Sequence, residues 1–249
     1  MNRDVLTKQI QVYEDEFIRF MGIKEFPVYE LHTKEASKDV ADDQGYEVVA
    51  CTFYQPQIQK HTLCVSTNLI LSKYLLFHEF THILDSEMYV KGDKVRYAGL
   101  SGFTEYHASQ VELAQLLGAN TIEEIPQFSM NFIVTTLAGE KSVYQYVEEK
   151  HQHAIELFNR VDFPADINTL KSAFGVFFNY LGLRSICEMY SIDYTEIVNN
   201  EAFLKFIPTQ YFSALNNLMH GWLDNMKIDQ SSSIYANIVF PLIKEFKLV

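Results

Sequence analysis

The stretch Phe77-His78-Glu79-Phe80-Thr81-His82-Ile83-Leu84-Asp85 decides how this chain is read. Its two histidines stand four residues apart, and residues at i and i+4 lie one above the other on a helix face. Leu75, Leu76, Phe80, Ile83 and Leu84 give that helix an apolar side. His78 and His82 can therefore turn both imidazoles towards one metal ion, at about 2.0–2.1 Å if it is zinc. Glu79 lies about 100° round the helix from His78. There a carboxylate stands beside the metal without being a ligand. It can take a proton from a water and pass it to a leaving amine.

Two histidines do not complete such a site, because catalytic zinc takes three protein ligands and keeps a fourth position open. The third is expected from a second helix, Thr104 to Leu117, which Gly118 stops. That helix offers Glu105, His107 and Glu112. Glu105 is favoured: Ala108, one turn on and on nearly the same face, is small enough to let two helices approach. His107 lies about 200° from Glu105 round a straight helix, so one ion cannot easily take both. If Glu105 is the ligand, His107 is either a donor to the oxyanion formed at an attacked carbonyl, a neighbour of the ligands, or an ordinary helix residue.

Upstream, Val5, Leu6, Ile10, Val12, Tyr13, Phe17 and Phe20 recur at helical spacing, and Gly22 follows. Three runs of strand character come next: 27–31, 46–54 and 61–66, with turn chemistry at Asp42-Asp43-Gln44-Gly45. They predict a small sheet. Ser72 is the expected N-cap of a helix running to about Val90, and Gly92, Gly99 and Gly102 read as a loop. Beyond Pro126 the chain offers four or five helical segments, one capped by Asp166, and no persuasive strand. The expected class is α+β, with a unit over residues 1–125 and a mainly α-helical domain or lid over 126–249.

These residues form a recognisable pattern. The chain resembles the gluzincin-type zinc metallopeptidases and, within them, a divergent member of the ImmA/IrrE family. That family pairs H-E-x-x-H on one helix with E-x-x-A on the next, here His78 to His82 and Glu105 to Ala108. The resemblance covers roughly residues 40 to 118. The continuation E-x-x-A-N-x-F-A is not kept, since Ser109, Val111 and Glu112 occupy those places. The resemblance implies a zincin-like core of small sheet, H-E-x-x-H helix and glutamate helix. It also implies zinc held by His78, His82 and Glu105, Glu79 as general acid and base, and a protein or peptide substrate. The alternative is a zinc-stabilised regulatory or interaction protein of a phage or mobile element, with little or no hydrolysis.

Composition excludes more than it selects. The chain has 249 residues, 48% of them apolar, which excludes wholesale disorder. Twenty Lys and Arg against 32 Asp and Glu give a net charge of −12, which argues against a broad phosphate-backbone binder. No apolar run approaches the roughly 20 residues of a membrane span, and the N-terminus lacks a signal-peptide pattern. A cytoplasmic setting is expected. Cys51, Cys64 and Cys187 form no C-x-x-C pair and read as buried small hydrophobes. Asp85 is a candidate partner for the His82 ring, though a solvated helix position is the simpler reading. His151 and His153 point apart on a helix and are not expected to share a metal. Phe174, Phe177, Phe178 and Tyr180 read as helix core.

Overall fold

The computed structural model describes residues 3–35, 49–197 and 199–248. In chain order the elements are α1 (Arg3–Met21), β1 (Tyr29–Lys34), β2 (Ala50–Gln55), β3 (Lys60–Ser66), α2 (Lys73–Asp85), α3 (Lys94–Leu116), β4 (Ile133–Thr136), β5 (Gly139–Ser142), α4 (Val143–Phe158), α5 (Ile167–Tyr190), α6 (Glu201–Leu204), α7 (Thr209–Leu218) and α8 (Asn225–Glu245). A π-helical turn, Ser86–Val90, prolongs α2. The class is α+β. Among the described residues, no helix is long and apolar enough to cross a membrane. The expected turn at Asp42–Gly45 and the first part of the expected 46–54 strand lie outside the described residues.

Two compact units emerge, and α3 supplies residues to both. The first comprises Met1–Tyr97, Val111–Pro126 and Thr135–Gly139. Its three-stranded sheet has the order β1-β3-β2, with β1 parallel and β2 antiparallel to β3. Side chains alternate across a strand, so His61, Leu63 and Val65 of β3 are buried while Thr62 and Cys64 face the other way. The aromatic core joins α1 to α2. Phe17 meets Phe77 and Phe80 edge-on at ring distances of 5.2 and 5.4 Å, and Phe20 meets Phe77 at 5.4 Å. Gly22 ends α1 at φ +65, a left-handed conformation that costs glycine little.

The second unit comprises Ala98–Gln110, Gln127–Val134 and Glu140–Val249. Its axis is α5, buried along most of its length, including Phe174, Phe177, Phe178 and Tyr180 as expected. Asp166 caps it, accepting from the Thr169 amide at 2.7 Å while the Thr169 hydroxyl accepts from the Asp166 amide. Phe158, Phe174, Phe177 and Phe203 interlock around it.

Several expectations are corrected. The second site helix begins at Lys94, not Thr104, with Asp93 as N-cap accepting from the Val95 and Arg96 amides. Gly99 and Gly102 are therefore helical rather than loop residues. A Cβ on Gly102 would lie 2.7 Å from the Phe178 ring and 2.8 Å from Tyr235, so close packing rather than turning selects glycine there. The chain past Pro126 also has strands: β4 and β5 form a hairpin whose turn is made possible by Gly139 at φ +105. Four-residue strands are too short to show a two-residue period. Cys187 is buried, but Cys51 and Cys64 are only partly so. Asp85 is fully buried on one helix stripe with Thr81 and Phe77, not solvated.

Candidate metal centre

The position of the H-E-x-x-H helix follows from its burial pattern. Leu76, Phe77, Phe80, Ile83 and Leu84 are buried. Leu75, His78, Glu79 and His82, at spacings of three and four, make the half-buried stripe that remains. The apolar side thus clamps α2 in place and leaves three polar side chains with one direction to face. The His78 and His82 rings stand 4.9 Å apart between centroids, at 74°.

One ligand atom each from His78, His82 and Glu105 lies within 4.8 Å of the other two. These residues form the candidate group for a cation among the described residues. Two neutral imidazoles and a carboxylate make a mixed nitrogen and oxygen donor set that suits zinc. Glu105 has room beside it: a Cβ on Gly175 would sit 3.6 Å from its Oε1.

Glu112 serves a different purpose. Its Oε2 is 2.7 Å from His78 Nδ1, and its side chain is 5% exposed. A carboxylate accepting from Nδ1–H favours the tautomer in which Nε2 is the nitrogen that would ligate. Glu105 and Glu112 stand about two turns apart on α3, nearly in line, with buried Ala108 between them. The same helix therefore carries both the candidate ligand and the carboxylate beside His78. Tyr74, one turn before His78, is also anchored. Its hydroxyl accepts from the Leu137 amide at 3.1 Å, and burial, reinforced by the Glu112 charge, raises its pKa.

Glu79 is held from the sheet. The Thr52 hydroxyl of β2 donates to its Oε2 at 3.0 Å. Beside Thr52, burial pushes the Cys51 thiol up to about 12, with the Glu79 charge and Cys64 adding to the effect. His107 stacks on Phe103 at 5.6 Å and meets Trp222 edge-on at 6.0 Å. That surrounding is aromatic, and His107 is not a member of the candidate cation group. His61 is packed against Tyr54, with its Nε2 3.1 Å from Glu87. His151 is buried against Tyr180 and Phe203.

From the sequence Glu112 reads only as a candidate ligand, and Thr52 as an ordinary strand residue. The seven-residue repeat from Glu105 to Glu112 was a visible signal, since it places two carboxylates on one stripe of α3. No comparable signal marks Thr52, whose role depends on strand placement. Compared with protein-family models, the chain matches none, and searches of curated proteins and of solved structures return no match.

Proposed function

We propose that the protein is a zinc-dependent hydrolase of gluzincin type, with a zincin-like core, acting on a peptide bond in a protein or peptide substrate. The observation that carries this reading is the convergence of His78, His82 and Glu105 with Glu79 next to the first histidine. These three side chains would hold the ion, and zinc there supplies Lewis acidity towards the substrate carbonyl and acidifies its water to a pKa near 7.

The chain's own residues do the rest. Glu79 takes the proton of the attacking water and returns it to the amine that leaves, so its carboxylate must be held in one orientation. The Thr52 hydroxyl does this by engaging one of its two oxygens. Glu112 keeps the His78 ring in the ligating tautomer. His107, beside Phe103 and Trp222, stays the candidate donor to the oxyanion formed at the attacked carbonyl.

Metal analysis and a peptide-library digestion of the purified chain test the proposal. Near one zinc per chain is expected, lost in His78→Ala, with cleavage that Glu79→Gln abolishes while zinc stays bound. A chain without stoichiometric zinc, or cleavage undiminished in Glu79→Gln, would overturn it. Zinc retained with no cleavage of any peptide would favour the structural-metal alternative.

A further inference from the structure

Cys51 on β2 and Cys64 on β3 are directly opposite one another in the antiparallel register. We propose that these two cysteines are an oxidisable dithiol, which a hydroperoxide converts to an intrachain disulfide across β2 and β3.

The backbone fixes the spacing. The Ser66 amide donates to the Val49 carbonyl at 2.8 Å, which makes that opposed pair hydrogen-bonded. Opposed pairs alternate along an antiparallel ladder, so Cys51 and Cys64, two residues further in, are hydrogen-bonded too. The Cα atoms of such a pair stand about 5.5 Å apart. That lies inside the roughly 4.4–6.8 Å range that a disulfide bridges. Both side chains project from the same face of the sheet, opposite to buried Leu63 and Val65, and neither thiol is buried completely. Cys64 is close enough to add to the rise in the Cys51 pKa.

The two thiols are not equivalent. Cys64 has His32 of β1 opposite it in the parallel register, on the same face of the sheet. His32 is well exposed with its Nε2 2.9 Å from Glu30 Oε2, whereas burial pushes the Cys51 thiol up to about 12, which disfavours its thiolate. Cys64 is therefore the attacking sulfur. Its thiolate bonds to one peroxide oxygen, the O–O bond breaks, and hydroxide leaves as water after taking up a proton, which gives a sulfenic acid. The Cys51 sulfur then attacks the Cys64 sulfur. The S–S bond forms, the S–O bond breaks, and a second water carries away the Cys51 proton. Two thiols lose two electrons, and one peroxide gains them.

The bond would tie an edge strand to its neighbour one residue from Thr52, the hydroxyl that holds Glu79. The chemistry does not depend on any hydrolytic activity. Intact-mass spectrometry and thiol counting on the full chain, before and after hydrogen peroxide, test it. The expected result is a loss of two alkylatable thiols and about 2 Da, with Cys51 and Cys64 joined in the digest and dithiothreitol restoring both. Cys187→Ser should behave as wild type, and Cys51→Ser or Cys64→Ser should lose the change. Two thiols that stay alkylatable, oxygen adducts on separate cysteines without a cross-link, or bridges between chains would overturn the proposal. Counting thiols in the native wild-type chain keeps the test decisive should a variant fold poorly.

Discussion

His78 Nδ1 and Glu112 Oε2 lie 2.7 Å apart, joining the first histidine of α2 to a carboxylate of α3 that is itself buried. With Nδ1 engaged by this carboxylate, Nε2 is the nitrogen that His78 would offer to a cation. The same helix carries Glu105, one ligand atom of which lies within 4.8 Å of ligand atoms of His78 and His82.

Removing this carboxylate should weaken metal binding without unfolding the chain. Glu112→Gln keeps the shape and an acceptor but loses the charge. Zinc affinity, read by competition with a chromophoric chelator, is expected to fall about 10–100-fold. An unchanged affinity would mean that the His78 ring is aimed by something else.

Thr52→Val deletes the hydroxyl that donates to Glu79 while preserving side-chain shape. Hydrogen bonds to charged groups contribute roughly 1.5–3 kcal/mol, so kcat on a cleavable peptide should fall by about tenfold or more. KM and zinc content should change little. A fall in zinc content instead would place Thr52 in support of the ligands.

Gly182→Ala should be among the most damaging single-methyl additions. Its Cβ would meet the Tyr106 carbonyl oxygen at 2.2 Å, and a helix backbone cannot step aside. Overpacking of this kind costs about 3 kcal/mol or more, measured by urea denaturation. Gly99→Ala is the control. Its nearest neighbour is the Ser232 hydroxyl at 2.5 Å, which can rotate away, and alanine gains about 1 kcal/mol of helix propensity.

Acidification should expose His151. Burial holds its imidazole below the ordinary value of 6.5, so the folded state resists a proton that the unfolded chain accepts. The unfolded state then binds more protons, and stability falls as pH drops from about 6.5 towards the lowered folded value. Above that window the residue adds no pH dependence. His151→Phe, which suits the Tyr180 and Phe203 rings around it, should flatten the decline in Tm between about pH 7 and pH 5. An identical slope would show that other groups set it.

The α+β class, the helix over the first twenty residues, the three strand positions and the Asp166 cap were all legible in the sequence. Each rests on local physics: a period of side chains, a capping side chain, or a glycine at positive φ. The His78, Glu79 and His82 constellation was legible for the same reason, since one turn of helix brings i and i+4 together wherever that helix packs. The start of α3 was misread because a glycine that permits a turn and a glycine that permits close packing are the same letter. Gly102 is the second kind, and only Phe178 and Tyr235, far along the chain, reveal it.

What the sequence determined by itself is therefore a helix stripe that places two histidines together with a glutamate beside them. Tertiary structure decided the remainder: which acidic side chain of α3 lies near the two histidines, which one is hydrogen-bonded to His78, and which strand hydroxyl donates to Glu79. It also buried Asp85, for which the sequence favoured a solvated position. Side chains within one turn are placed by backbone geometry. Those 27 or 34 residues apart, as Thr52 is from Glu79 and His78 from Glu112, meet only when apolar faces have packed. That packing of Phe17, Phe20, Phe77 and Phe80 sums many weak contacts no single residue announces.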